Sequence, residues 1–207
     1  GVILELQDTS GNRGIGEASP IALHGEGTVE DVLRLIKSWA PSLFTGNIPE
    51  IKNIVPGANA LSCALDSAML DLQGQRLHLP LAALAIERPL EAVAVNAVIG
   101  NGPRTTVQEQ VRLAIDSGYK TLKLKVGVGP LEEDYRHVEA IREVAPNVHL
   151  RLDANGAWDI DTATEALQEL SQYHLEYLEQ PVPADDLAGM RQLRALQLCR
   201  IAADESV

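Results

Sequence analysis

The chain has 207 residues, 45% of them apolar, with a formal charge of −12. That length can bury one large core or two small ones, and the acidic balance excludes nucleic acid and anionic membrane as natural partners. No run of about 18 apolar residues exists to span a bilayer. No basic-then-apolar leader opens the chain either. The cytoplasm is therefore the expected compartment. Two unclustered cysteines, Cys63 and Cys199, suit a reducing environment and are expected to be packing residues, Cys199 near the end of a helix.

In chain order, Val2–Leu6 and Gly14–Glu17 flank the turn-forming stretch Asp8 to Asn12 and predict a β-hairpin. Ser19 to Thr28, with Pro20 and two glycines, reads as a mobile loop that carries His24. Helices are expected from about Thr28 to Trp39 and from about Asn59 to Gln75. Residues 1–90 show no strand–helix repeat and read as a separate α+β domain, its first strand missing.

From residue 91 the pattern changes. Strand-length apolar runs cover Val93–Ile99, Thr121–Val126, Val148–Asp153, Leu175–Glu179 and Arg200–Asp204. Between them Val107, Val111 and Ile115, then Tyr135, Val138, Ile141 and Val144, then Leu167, Leu170 and Tyr173 place one apolar stripe on each helix. Capping boxes are expected at Thr106-x-x-Glu109 and Thr162-x-x-Glu165. Gly118 and Pro146 read as helix stops. Repeated strand–helix–strand predicts a parallel sheet. Five strands are too few to close an eight-stranded barrel of about 250 residues. Both ends of the chain read as cut through a fold.

Four of these strands end in charge: Lys123 and Lys125, then Asp153, Glu179 and Asp204. A barrel draws its catalytic residues from the C-terminal ends of several strands, whereas an open doubly wound sheet concentrates them at one switch point. The expected architecture is therefore α/β, a partial (β/α) barrel with five of eight strands spanning residues 91–207. Alternation along a strand puts Lys123 with Lys125, Arg151 with Asp153 and Asn155, and Tyr177 with Glu179. Three converging carboxylates are hard ligands suited to Mg²⁺ or Mn²⁺, and no His stands at these strand ends. The mutual repulsion of two lysines beside a divalent cation is expected to pull their pKa toward neutrality and leave one a usable base. Metal and lysine together specify abstraction of a proton α to a carboxylate through an enediolate. A Schiff-base aldolase using Lys123 or Lys125 is a rival in which the three acids have no task.

The order Lys-x-Lys, Asp-Ala-Asn, Glu-Gln-Pro, Asp-Glu-Ser resembles the enolase superfamily in its muconate-lactonising subgroup. Gly14 to Pro20 is similar to the segment that leads into that family's specificity loop. The resemblance implies an α+β capping domain on a modified (β/α)₇β barrel. It also implies Asp153, Glu179 and Asp204 as Mg²⁺ ligands, Lys125 as general base with Lys123 beside the substrate carboxylate, and Asn155 just outside the metal's ligands. Ser19, Pro20 and His24 would belong to the substrate loop. Within the subgroup, Ala94–Ile99, Lys123–Val128 and Leu150–Trp158 look like o-succinylbenzoate synthases. This implies dehydration of a succinyl-hydroxycyclohexadiene carboxylate in menaquinone biosynthesis, acting on a small carboxylate substrate. Dipeptide epimerase, N-succinylamino acid racemase and muconate cycloisomerase remain open alternatives, as does an inactive truncated relative. The family places another lysine after the sixth barrel strand, beyond Val207, so the 207-residue chain alone is expected to have little activity. A homo-oligomer is compatible with the sequence, which does not specify one.

Overall fold

The computed structural model describes residues 1–22, 27–44 and 55–207. His24 lies outside the described residues. The chain divides into two compact units, Gly1–Ala92 and Val93–Val207.

In the first unit, strands β1 (Val2–Gln7) and β2 (Arg13–Ala18) form an antiparallel hairpin, followed by helices α1 (Val29–Phe44), α2 (Ala58–Leu77) and α3 (Leu81–Ala85). Asp8 builds the turn: its carboxylate accepts from the backbone N–H groups of Ser10 and Asn12 and from the Arg76 guanidinium at the end of α2. Strand β2 lies directly on α2. A Cβ at Gly14 would meet the Ala68 carbonyl oxygen at 2.0 Å, and one at Gly16 the Ala64 carbonyl oxygen at 1.9 Å. Only glycine allows that approach. Leu61, Ala64 and Leu65 of α2 are buried with Ala18 and Val32. Cys63 is exposed on α2, contrary to the packing role expected of it, because its position falls off the buried stripe.

The second unit alternates strictly: β3 (Ala97–Ile99), α4 (Arg104–Asp116), β4 (Thr121–Lys125), α5 (Leu131–Val144), β5 (His149–Asp153), α6 (Ile160–Leu170), β6 (Tyr177–Glu179), α7 (Leu187–Ala195) and β7 (Ile201–Ala202). All neighbouring strands are parallel and their spatial order is β3-β4-β5-β6-β7. Sequential order decides between the two architectures. A doubly wound sheet reverses direction at a switch point, whereas right-handed crossovers in one direction set every helix on the same face. Consecutive helices α4 to α7 do pack against one another. This is a partial barrel wall.

Its two faces separate cleanly. Leu122, Leu124, Leu150, Leu152 and Leu178 are buried against Val107, Val111, Val138, Ile141, Leu167 and Leu170 of the helices. The alternate residues line the other face in two rows. One row runs Val98, Lys123, Arg151, Tyr177; the next runs Lys125, Asp153, Glu179, Ala202.

Several boundaries differ from expectation. β3 pairs over three residues instead of the seven from Val93, since Val93 and Val95 lie exposed before the ladder begins. β7 stops at Ala202, so Asp204 stands in the turn beyond it. Both expected capping boxes lie one turn too far along. Helix α4 starts after Pro103, and α6 is capped by the Asp159 side chain accepting from the Thr162 N–H. Gly118 does end α4: the Gly118 and Tyr119 N–H groups donate to the Ile115 and Ala114 carbonyls. Cys199 lies past α7 and is partly buried there, its thiol pushed up in pKa by burial.

Candidate active site

The last rung of the sheet carries the charged row. Lys125, Asp153 and Glu179 are in register on adjacent strands, and the ladder continues one residue past each pair. The Val126 N–H donates to the Asp153 carbonyl at 2.8 Å, Ala154 to Glu179 at 3.1 Å, and Gln180 to Ala202 at 2.9 Å. The backbone beneath these side chains is thereby fixed.

Asp153 is only 2% exposed, so its charge needs a partner. That partner is Lys123, which reaches from the row below. Its Nζ lies 3.0 Å from Asp153 Oδ2 and 2.8 Å from Glu179 Oε1. Burial alone depresses the Lys123 pKa, but the hydrogen bonds and charges of Glu179 and Asp153 outweigh it and hold the ammonium above its ordinary value. Two carboxylates at bonding distance thus outweigh the repulsion of one neighbouring lysine, and the downward shift expected of Lys123 would require a divalent cation to take those carboxylates from it. Lys125 is half exposed. Its Nζ donates to Asn155 Oδ1 at 2.6 Å and lies 3.6 Å from Asp153 Oδ2. Arg151, below, is engaged elsewhere, bonded to Glu176 and stacked over the Tyr177 ring at 5.1 Å.

The structure thus brings together Lys123, Lys125, Asp153, Glu179 and Asn155. The Asp204 carboxylate does not join them. Among the described residues no three His, Cys, Asp or Glu side chains gather closely enough to hold a metal ion. The donors present nonetheless suit a hard divalent cation: Asp153 and Glu179 converge on a single positive charge, here the Lys123 ammonium. In the first unit, Ser19 donates to Glu17 at 2.5 Å and lines a small cavity with Asn59 and Cys63; Pro20 comes directly after it in the chain.

Two residues in this region were missed by sequence reasoning. Gln180 is completely buried. Its side-chain oxygen accepts from the Asp204 and Ser206 N–H groups at 3.0 and 3.2 Å, and its amide donates to Val182 O and Ser206 Oγ. It staples the segment carrying Asp204 to the end of β6. Glu205 accepts from Asn155 Nδ2 at 3.1 Å, so Asn155 joins Lys125 to that same segment. The one signal for Gln180 was its place between an apolar run and a proline.

Residues 106–207 match the family model described as "Enolase C-terminal domain-like". That stretch belongs to the enolase superfamily. The chain as a whole is similar to members of its mandelate racemase/muconate-lactonising subgroup. It is 35% identical to a hydrophobic dipeptide epimerase of Enterococcus faecalis, over 99% of this chain and 59% of that protein. It is 28% identical to the o-succinylbenzoate synthase of Bacillus subtilis, over 100% of this chain and 57% of the other. The solved muconate lactonizing enzyme from Pseudomonas putida superposes with a TM-score of 0.89 at 28% identity, covering 99% of this chain and 61% of its own. The chain spans about three-fifths of the length of such relatives. Both the partial barrel and the superfamily agree with the sequence reading. The relatives divide among isomerases and lyases, so the family does not by itself select o-succinylbenzoate synthesis.

Proposed function

We propose that this chain carries the proton-abstracting half of an enzyme that removes a proton α to a carboxylate and passes through an enediolate. One observation supports this most directly: Lys125, Asp153 and Glu179 form a single register row at the C-terminal edge of the sheet. There, a half-exposed amine stands beside two carboxylates that converge on one cationic charge. Asp153, Glu179 and Asp204 would hold Mg²⁺ (or Mn²⁺), with Gln180 fixing the backbone of the third. The bound cation supplies electrostatic stabilisation for the negative charge developing on the substrate carboxylate. Lys125 takes the α-proton on Nζ, and Asn155, bonded to that nitrogen, aims it. Lys123 presents its ammonium to the substrate carboxylate and offsets the charge of Asp153 and Glu179. The aldolase rival does not account for two carboxylates gathered around these amines.

Within this class the reading from sequence is syn dehydration of a succinyl-hydroxycyclohexadiene carboxylate to o-succinylbenzoate. Likeness to the Enterococcus faecalis protein supports a second reading, inversion at Cα of a hydrophobic dipeptide. The two diverge once the proton has left: dehydration expels hydroxide, whereas epimerisation returns a proton to Cα.

The test uses the full product of the gene with Mg²⁺ in D₂O. Solvent deuterium entering Cα of a hydrophobic dipeptide supports epimerisation; aromatic product from the cyclohexadiene acid supports dehydration. Absence of both, or exchange undiminished in Lys125→Ala, removes the assignment.

A further inference from the structure

Two buried ionisable side chains on α5 lie outside the charged row. Asp134 is 2% exposed and His137 is 8% exposed. Each bonds the backbone of a loop that leaves the C-terminal edge of the sheet. Asp134 Oδ2 accepts from the Gly127 N–H at 2.9 Å, two residues after Lys125. His137 Nε2 lies 2.8 Å from the Gly102 carbonyl oxygen in the loop after β3. A carbonyl can only accept, so that nitrogen carries the hydrogen, while Nδ1 is buried without a partner.

The loop after β4 needs such a tether. It reads Gly-Val-Gly before Pro130, Val128 is largely exposed, and the loop borders a cavity of about 420 Å³ shared with Asn101 and Gly102. One side is open. On the other side Gly127, at φ +77°, lies against the loop after β5: a Cβ there would meet Ala157 Cβ at 2.8 Å and Trp158 Nε1 at 3.1 Å. That second loop carries Asn155, the partner of Lys125. Gly127 is thus pinned between Asp134 and the segment that aims the amine.

We propose that Asp134 is a positioning residue for Lys125, acting through the Gly127 N–H, with His137 holding the adjoining loop in place. The proposal rests on the reading of Lys125 as base. Burial pushes the Asp134 carboxyl above the usual carboxylate range, and the hydrogen bond from the Gly127 N–H offsets only part of that rise. A group held buried at that cost is consistent with a tether rather than a solvated helix-start acid.

Three variants test it: Asp134→Ala, which deletes the acceptor; Asp134→Val, which deletes it at conserved volume should the alanine variant fail to fold; and Asp134→Asn, whose amide oxygen can accept the same N–H. In the full gene product with Mg²⁺, Ala and Val variants are expected to lose about 10- to 100-fold in kcat for α-proton exchange with KM nearly unchanged, because small misplacement of a reacting group costs rate more than binding. Asn is expected to restore most of it. Hydrogen exchange of the Gly127 amide, read on the 207-residue chain, should lose protection in Ala and Val and keep it in Asn. A protected Gly127 or an unchanged kcat in the Val variant overturns the proposal, as does an Asn variant as impaired as Val or a loss confined to KM. If the unaltered protein exchanges no α-proton, the base reading falls, and the Gly127 amide alone still decides whether the tether exists.

Discussion

Lys123 and Lys125 sit two residues apart on one strand, yet their surroundings differ. Lys123 is folded into the pair of carboxylates and keeps its proton; Lys125 stays half exposed, with an amide oxygen as its nearest partner. On the proposed reading, that asymmetry suits Lys123 to bind the substrate carboxylate and Lys125 to take the proton. Lys125→Ala is accordingly expected to lower α-proton exchange by about 10³-fold, within the range for loss of a general base, as measured by deuterium incorporation. Gln180 makes a different kind of contribution. Four hydrogen bonds converge on one fully buried side chain, two of them holding the N–H groups of Asp204 and Ser206. Gln180→Ala strands those groups and is expected to cost about 3 kcal/mol of stability by urea unfolding. Mn²⁺ affinity should fall with it, because the Asp204 backbone loses its anchor.

At the scale of elements, the parallel ladder turns single residues into rows. The three central strands β4, β5 and β6 turn their leucines to the helices and their charged and polar residues to the opposite face, and a slip of one residue on any of them would exchange the two sets. The polar row beneath the charged rung helps hold that register. Arg151 on β5 bonds Glu176 just before β6 and stacks on Tyr177. Arg151 lowers the Glu176 carboxyl below its ordinary value of 4.5, chiefly by direct hydrogen bonding. A lowered folded-state pKa means that this contribution to stability is complete above about pH 4.5 and is lost as the pH falls through the lower folded value. Melting curves should therefore show Glu176→Gln less stable than the parent above that pH, with the gap closing in more acid solution. A gap independent of pH would show that the pair does not work through its charge.

For the whole molecule, sequential strand order leaves the wall of a barrel with its charged rung at one end of the sheet. The cation site is expected to be measurable on the 207-residue chain without turnover. Mn²⁺ binding followed by electron paramagnetic resonance should be detectable with the parent and weakened at least about tenfold by Asp153→Asn or Glu179→Gln, since each removes one of the charged oxygens that favour a hard cation. Asp204→Asn with undiminished affinity would remove Asp204 from the ligand set and leave the other two.

Some of this was legible in the residues alone, and the division has a physical basis. Apolar runs ending in Lys, Asp and Glu announce strands whose last residues must find a partner or solvent, because burying such charges unpaired is too costly. The alternation of side chains then says which of them share a face. Helix starts were misplaced by one turn at Pro103 and Asp159, since local signals for a cap occur several times in one stretch and only the chain geometry selects among them. What a sequence leaves undetermined is which groups meet across strands. That Lys123 reaches up to Asp153 and Glu179, that Gln180 is buried to hold a loop from β7, and that Asp134 grips Gly127 all depend on distances of about 3 Å between residues up to 56 positions apart. Register and packing set those distances, and only the tertiary structure decided them.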